Sequence, residues 1–280
     1  MTNNQKRWLL FLIAIPLLIA IIFIDYANHL AINLAVLAIA LMGTHEMCLM
    51  LNKAGYPVAV GSLTAASTIL PIATYLVVMG VLPEQSLALI AFTVSAVILV
   101  IPIFTMSSDG FSKVIPTVAG SILALVYPGF FLTYIVRFSG FQYSTHVIIM
   151  FMLTVYLNDS FAWFVGNLFG RNSRKVFVVS PNKSMVGFIG GIAASLFVTI
   201  SGGILYPQVF TGPLYIMIIL GFVAGCTTIL GDLIESGIKR SSGVKDSGTI
   251  VMGRGGLLDS IDSLLLTAPV FYYLLKMTAL

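Results

Sequence analysis

The chain has 280 residues, of which 59% are hydrophobic and only 9% charged, and its mean hydropathy is +1.05. This composition lacks the polar surface that a soluble domain needs and predicts an all-α, polytopic integral membrane protein. The formal net charge of +4 reads first as a topology signal and second as a match for anionic lipid heads and nucleotide phosphates.

In chain order, apolar runs mark about nine helical spans: 8–26, 30–51, 57–80, 86–104, 117–138, 144–169, 187–206, 213–235 and 256–278. The first run has the look of a signal peptide. Another long span follows it directly, and it has no small-residue cleavage site, so it is expected to stay as a mature helix. Pro71 and Pro128 fall inside the third and fifth spans. Nine spans put Lys6, Arg7, Lys53, Lys113, Arg171, Arg174, Lys175, Lys183, Lys239, Arg240, Lys245 and Arg254 on one side, and only Arg137 and Lys276 on the other. This 12-to-2 split predicts a cytoplasmic N-terminus and an external C-terminus. Residues 1–140 are read as N-terminal helices for packing and for lipid or dimer contacts. Residues 141–280 are read as the catalytic region with its cytoplasmic loops.

Acidic residues carry the chemical signal. Glu46, Asp159, Asp232, Glu235, Asp259 and Asp262 lie in or at the ends of the spans. Asp232 and Glu235 are three apart and share a helix face, which Ser236 and Lys239 continue; Asp259 and Asp262 repeat the spacing on the last span. Two such pairs form an oxygen-rich pocket suited to Mg²⁺. For one isolated acid a structural ion pair is the simpler reading. A cluster of acids and bases in a chain this apolar points instead to function. Between the pairs, Lys239, Arg240, Lys245 and Arg254 alternate with Gly243, Gly248, Gly253, Gly255 and Gly256. Flexible backbone with cationic donors fits a polyphosphate, and Gly255-Gly256 precede a helix N-terminus that favours an anion. No Walker A or GxGxxG pattern is present.

Upstream, Asn158 and Asp159 end an apolar run and are expected to face the bundle. Gly166 and Gly170, like Gly187 and Gly191, are four apart and read as close helix packing. Ser180 to Lys183 reads as a turn carrying one cation. Cys48 and Cys226 read as small packing residues. His29, His45 and His146 are scattered, and no zinc spacing occurs.

The run Ser236-x-Ile238-Lys239-Arg240-x4-Lys245-Asp246, followed by Gly255-Gly256-Leu257-x-Asp259-x-x-Asp262, resembles the signature of the phosphatidate cytidylyltransferases, or CDP-diacylglycerol synthases. The GDLIES, NDSFAWFVGNLFG and SPNKSMVGFIGG stretches also resemble family segments, so the likeness covers about residues 155–265. Departures are Arg254 in place of histidine, Ser260 in place of arginine, Met252 in place of proline and Val186 in place of glutamate. Arg254 is read as restoring the charge lost at Ser260.

The resemblance implies transfer of CMP from CTP to phosphatidate or a related lipid phosphate, with Mg²⁺ and room for a second cation. It makes Asp232 and Asp259 the main metal ligands, supported by Asp262 and Asp246. Lys239, Arg240 and Lys245 would contact phosphates, with Lys183, Ser236, Arg254, Gly255 and Gly256 beside them and Asn158 and Asp159 lining the cavity. It also implies a homodimer; membrane lipids are the expected surroundings, no nucleic-acid partner is expected, and the loop pattern, without a signal or organelle sequence, favours a bacterial inner membrane with the site facing the cytoplasm. Alternatives are a catalytically inactive paralogue and a secondary transporter with intramembrane acids. The gathering of the acids at one end disfavours the transporter.

Overall fold

The computed structural model describes residues 3–105, 108–170, 177–181, 183–251 and 255–277, with backbone alone at 3–11 and 108–109. Arg171, Arg174, Lys175, Met252, Gly253 and Arg254 lie outside the described residues. The helices are α1 (Asn3–Ile22), α2 (Tyr26–Lys53), α3 (Val60–Ala66), α4 (Ile69–Val78), α5 (Gln85–Thr105), α6 (Val114–Leu125), α7 (Thr133–Phe138), α8 (Ser144–Phe169), α9 (Met185–Leu205), α10 (Leu214–Ser241) and α11 (Leu258–Lys276). Among the described residues there is no strand, only an isolated bridge between Val251 and Gly255. All-helical architecture is what lipid requires, because each backbone N–H and C=O finds its partner within one segment.

The protein is an all-α polytopic membrane protein. Among the described residues, 8 continuous or kinked helices are long and apolar enough to cross a membrane, and Leu12–Ile22 of α1 is a shorter apolar helix. The third and fifth predicted spans are both interrupted. In the third, α3 and α4 meet near Pro71, which offers no N–H to the preceding turn. There the Ser67 hydroxyl donates to the carbonyls of Thr64 at 2.7 Å and Ala40 at 3.2 Å. In the fifth, Val126–Phe130 forms one π-helical turn around Pro128 between α6 and α7.

The chain divides into two compact units. One comprises Met1–Gly140 with Ile238–Ser260; the other comprises Phe141–Gly237 with Ile261–Leu280. Helices α10 and α11 each run from one unit into the other.

In the first unit, α2 is the central helix and buries Ile32, Val36, Ala40, Met47, Met50 and Leu51. Its C-terminal turn is fixed by Asn52. The amide nitrogen of that side chain donates to the Cys48 and Val58 carbonyls, and its oxygen accepts from the Val58 N–H, all at 3.1 Å. The first turn of α2 is left-handed at Ala27, Asn28 and His29, with φ of 48°, 51° and 57°. Such backbone is costly for non-glycine residues. It is held by Tyr75, whose hydroxyl donates to the Ala27 carbonyl at 2.6 Å, and by Asn33, which donates to the Asn28 and His29 carbonyls. Helix α5 exposes Phe92, Leu99, Ile103 and Phe104, as a lipid-facing helix does.

In the second unit, α8 and α9 pack backbone against backbone. A Cβ at Gly187 would lie 2.6 Å from the Ala162 carbonyl, and one at Gly190 would lie 2.7 Å from Val165 Cβ. Close approach of this kind is the main source of helix association where lipid removes the hydrophobic drive. Fully buried Asn158 on α8 ties three helices, donating to Ser195 Oγ at 2.9 Å and to the Gly225 carbonyl at 3.3 Å. Helices α10 and α11 meet through the Thr228 and Thr267 hydroxyls, 3.2 Å apart. Phe271 of α11 packs edge-on against Phe151.

Gly187→Ala is expected to destabilise this unit by about 1–3 kcal/mol through overpacking. Thermal unfolding of the detergent-purified variant checks this, the expected result being a lower melting temperature than wild type.

Candidate functional site

Among the described residues, charged side chains gather in each unit. In the second unit, Asp232, Glu235 and Ser236 lie on α10, Asp262 on α11, Asp159 on α8, and Lys183 just before α9. Lys183 Nζ donates to Asp232 Oδ2 in a half-buried ion pair. The Ser236 hydroxyl points to the other carboxylate oxygen of Asp232 at 3.4 Å. Glu235 is fully buried, and Asp262 is 9% exposed. Asp262 Oδ1 accepts from the N–H of Ser263 at 2.7 Å, and the charges of Asp232, Glu235 and Asp159 all act on it. Gly231 backs α10 directly onto α11 here, since a Cβ would lie 2.6 Å from the Asp262 carbonyl.

Carboxylates collected in a low-dielectric bundle repel one another and call for a cation. An all-oxygen donor set suits a hard divalent ion. Among the described residues, no group of three acidic, histidine or cysteine side chains is close enough to hold a metal ion. A Mg²⁺ site is commonly made of one or two carboxylates completed by water and substrate phosphates, and Asp232 and Asp262 are of the donor type such a site would use.

In the first unit, the loop after α10 is drawn onto two carboxylates. Helix α10 stops at Gly243 (φ +67°). Its last carbonyls are met by the N–H groups of Gly243 and Val244, which reach Arg240 and Lys239 at 3.1 and 3.0 Å. Asp259, in the first turn of α11, accepts the Lys239 ammonium on Oδ1 at 2.5 Å. Its Oδ2 accepts the Ser247 N–H, the Ser247 hydroxyl and the Gly256 N–H at 2.8, 2.9 and 2.8 Å. Glu46, from α2, accepts the Leu257 N–H on Oε1 at 2.9 Å. Its Oε2 accepts the Leu258 N–H at 2.9 Å and the Ser247 hydroxyl at 3.1 Å. Gly255 takes a left-handed φ of +112°, where a Cβ would lie 2.7 Å from Asp259 Oδ2. Arg240, Lys245 and Asp246 are exposed.

These contacts show the surroundings of several residues that the sequence singled out. The N-terminus of α11, anticipated as an anion site, is filled by the protein's own carboxylates. Gly256, Leu257 and Leu258 donate to Asp259 and Glu46, and the Gly255 N–H donates to the Val251 carbonyl at 3.2 Å. Both oxygens of Asp259, expected to bind metal, are already engaged, one of them by Lys239. Asn158, expected in the cavity wall, has no exposed surface and joins three helices. Glu46 and Ser247 are central to the loop, yet no local motif in the sequence marks either one. Ser260 lies in the first turn of α11, and its buried hydroxyl has no hydrogen-bond partner among the described residues. Arg254 is outside the described residues.

A family model described as the cytidylyltransferase family matches residues 5–278 of the chain. Among curated relatives, a protein named phosphatidate cytidylyltransferase from Staphylococcus saprophyticus is 39% identical over 154 residues, covering 55% of this chain and 56% of the relative. Proteins of the same name from Staphylococcus haemolyticus and Staphylococcus aureus are each 38% identical over 154 residues, with the same coverage. The chain thus aligns with little more than half the length of these relatives.

The side chains of Lys239 and Asp259 are 13% and 9% exposed, so Lys239→Ala strands a largely buried anion at a cost of about 3 kcal/mol. Adding Asp259→Asn to that variant is expected to recover part of the loss. Denaturant unfolding of the single and double variants measures the coupling.

Proposed function

The chain belongs to the cytidylyltransferase family, and on that premise we propose that it transfers CMP from CTP to phosphatidate, forming CDP-diacylglycerol and pyrophosphate. The observation that carries this reading is that, within the Ser236–Asp262 run, Ser236, Lys239, Asp259 and Asp262 take hydrogen-bonded positions in an otherwise apolar bundle. In the reaction, a phosphate oxygen of the lipid forms a bond to the α-phosphorus of CTP. The bond from that phosphorus to the oxygen bridging toward the β-phosphate breaks, and the electron pair leaves with pyrophosphate. The nucleophile is already an anion near neutral pH, so no strong general base is needed, which agrees with the lack of histidine in either cluster.

The barrier lies in bringing two anions together in line. Asp232 and Asp262 are the proposed holders of Mg²⁺, with Asp159 and Glu235 shaping the field around them. Bound Mg²⁺ supplies Lewis-acid neutralisation and alignment of phosphate oxygens. Lys183 balances Asp232 and is a further phosphate donor, with Ser236 beside it. Exposed Arg240 and Lys245 are the proposed first contacts of the triphosphate. Lys239 exchanges Asp259 for a phosphate oxygen when nucleotide binds, while Asp259 keeps the loop ordered through Ser247 and Gly256. Arg254 offers the cation that Ser260 does not. The same proposal includes a bacterial inner membrane, a cytoplasm-facing site, a homodimer and room for a second cation.

Purified protein in detergent with phosphatidate and Mg²⁺ is expected to release pyrophosphate from CTP, but not from ATP or GTP, in step with CDP-diacylglycerol. Asp262→Ala is expected to lower this rate about 100-fold or more while leaving the unfolding transition in place. Absence of turnover across several lipid phosphates, from folded protein, would favour a non-catalytic paralogue or a transporter.

A further inference from the structure

We propose that Glu46, on α2, is a positioning residue for the loop that handles the nucleotide, and that it acts as an ionised carboxylate and not as a packing group. The proposal rests on the cytidylyltransferase reading above. Glu46 is 211 and 212 residues away from the Leu257 and Leu258 amides it receives, and it is 2% exposed.

Among the described residues, every polar partner of this side chain is a donor. Two are backbone N–H groups at the start of α11, and the third is the Ser247 hydroxyl. A carboxylate only accepts, so it satisfies all three. The glutamine amide has the same shape but would set N–H groups against N–H groups. Negative charge also suits the positive end of α11.

The loop is built around this carboxylate. A Cβ at Gly256 would fall 2.5 Å from Glu46 Oε2, and one at Gly248 would strike the same carboxylate. The link then passes to the reacting groups. One Ser247 hydroxyl lies 3.1 Å from Glu46 Oε2 and 2.9 Å from Asp259 Oδ2, so a single proton serves two carboxylates and couples their positions. Asp259 in turn holds Lys239. Glu46 therefore sets where the loop closes and where the Lys239 ammonium waits.

The test compares wild type, Glu46→Gln and Glu46→Asp. It measures amide hydrogen exchange together with steady-state kinetics for CTP. In Glu46→Gln, exchange is expected to speed up in peptides covering residues 247–258 and to stay unchanged in the rest of α2 and in α4 and α6. The kcat is expected to fall at least about tenfold, with a smaller change in KM. Glu46→Asp keeps the charge and is expected to retain more activity than Glu46→Gln; a packing role predicts the reverse order. Any of three results would overturn the proposal: loop exchange unaltered in Glu46→Gln, faster exchange spread evenly through the first unit, or a loosened loop with wild-type kcat. If wild type itself does not turn over CTP, the functional reading fails, and the exchange data alone decide whether Glu46 holds the loop.

Discussion

A carboxylate buried in a lipid-spanning bundle must be met by donors or by a cation, and the first unit meets this constraint twice within one loop. Glu46 and Asp259 take the N–H groups that open α11, the Ser247 hydroxyl and the Lys239 ammonium. Without these anions, the start of α11 would leave backbone donors unsatisfied. Without the donors, the anions would be too costly to bury. The glycines follow from the same contacts, because side chains at 248, 255 and 256 would occupy the space of the carboxylates.

The second unit meets the constraint differently. Asp262 lies under the charges of three other acids, and Lys183 pairs with Asp232. In the proposed reaction this gathering of anions is what a bound cation would offset. Its rigidity comes from helix contacts at backbone distance, with Gly187, Gly190 and Gly231 admitting the neighbouring chain and Asn158 fastening three helices. The chemistry assigned to the family depends on alignment more than on proton transfer, so rigid helices carrying the acids suit it.

Much of this was legible along the chain. The helical spans follow from apolar run length: helix covers all nine predicted runs, and eight of the spans are long and apolar enough to cross a membrane among the described residues, two of them interrupted. Asp232 with Glu235, and Asp259 with Asp262, could be grouped because a spacing of three fixes a shared helix face. Pro71 and Pro128 mark the two interrupted spans, although the sequence gives no indication that one break becomes a π-helical turn. Glu46 was visible only as an acid in a greasy helix. Nothing near it in the chain points to the amides it holds.

The sequence by itself determined the all-helical membrane architecture, the membership of the cytidylyltransferase family and the identity of the charged residues that lipid cannot leave idle. The architecture and the charged residues follow from composition, period and spacing, which act over a few turns of helix, and the family follows from the likeness of the chain to its members. Tertiary structure alone decided which partner each charge takes: Glu46 with the start of α11, Asp259 with Lys239 and Ser247, Asp232 with Lys183, and Asn158 with its neighbouring helices. A hydrogen bond depends on distance in space. Groups two hundred residues apart come within that distance only after the helices have packed.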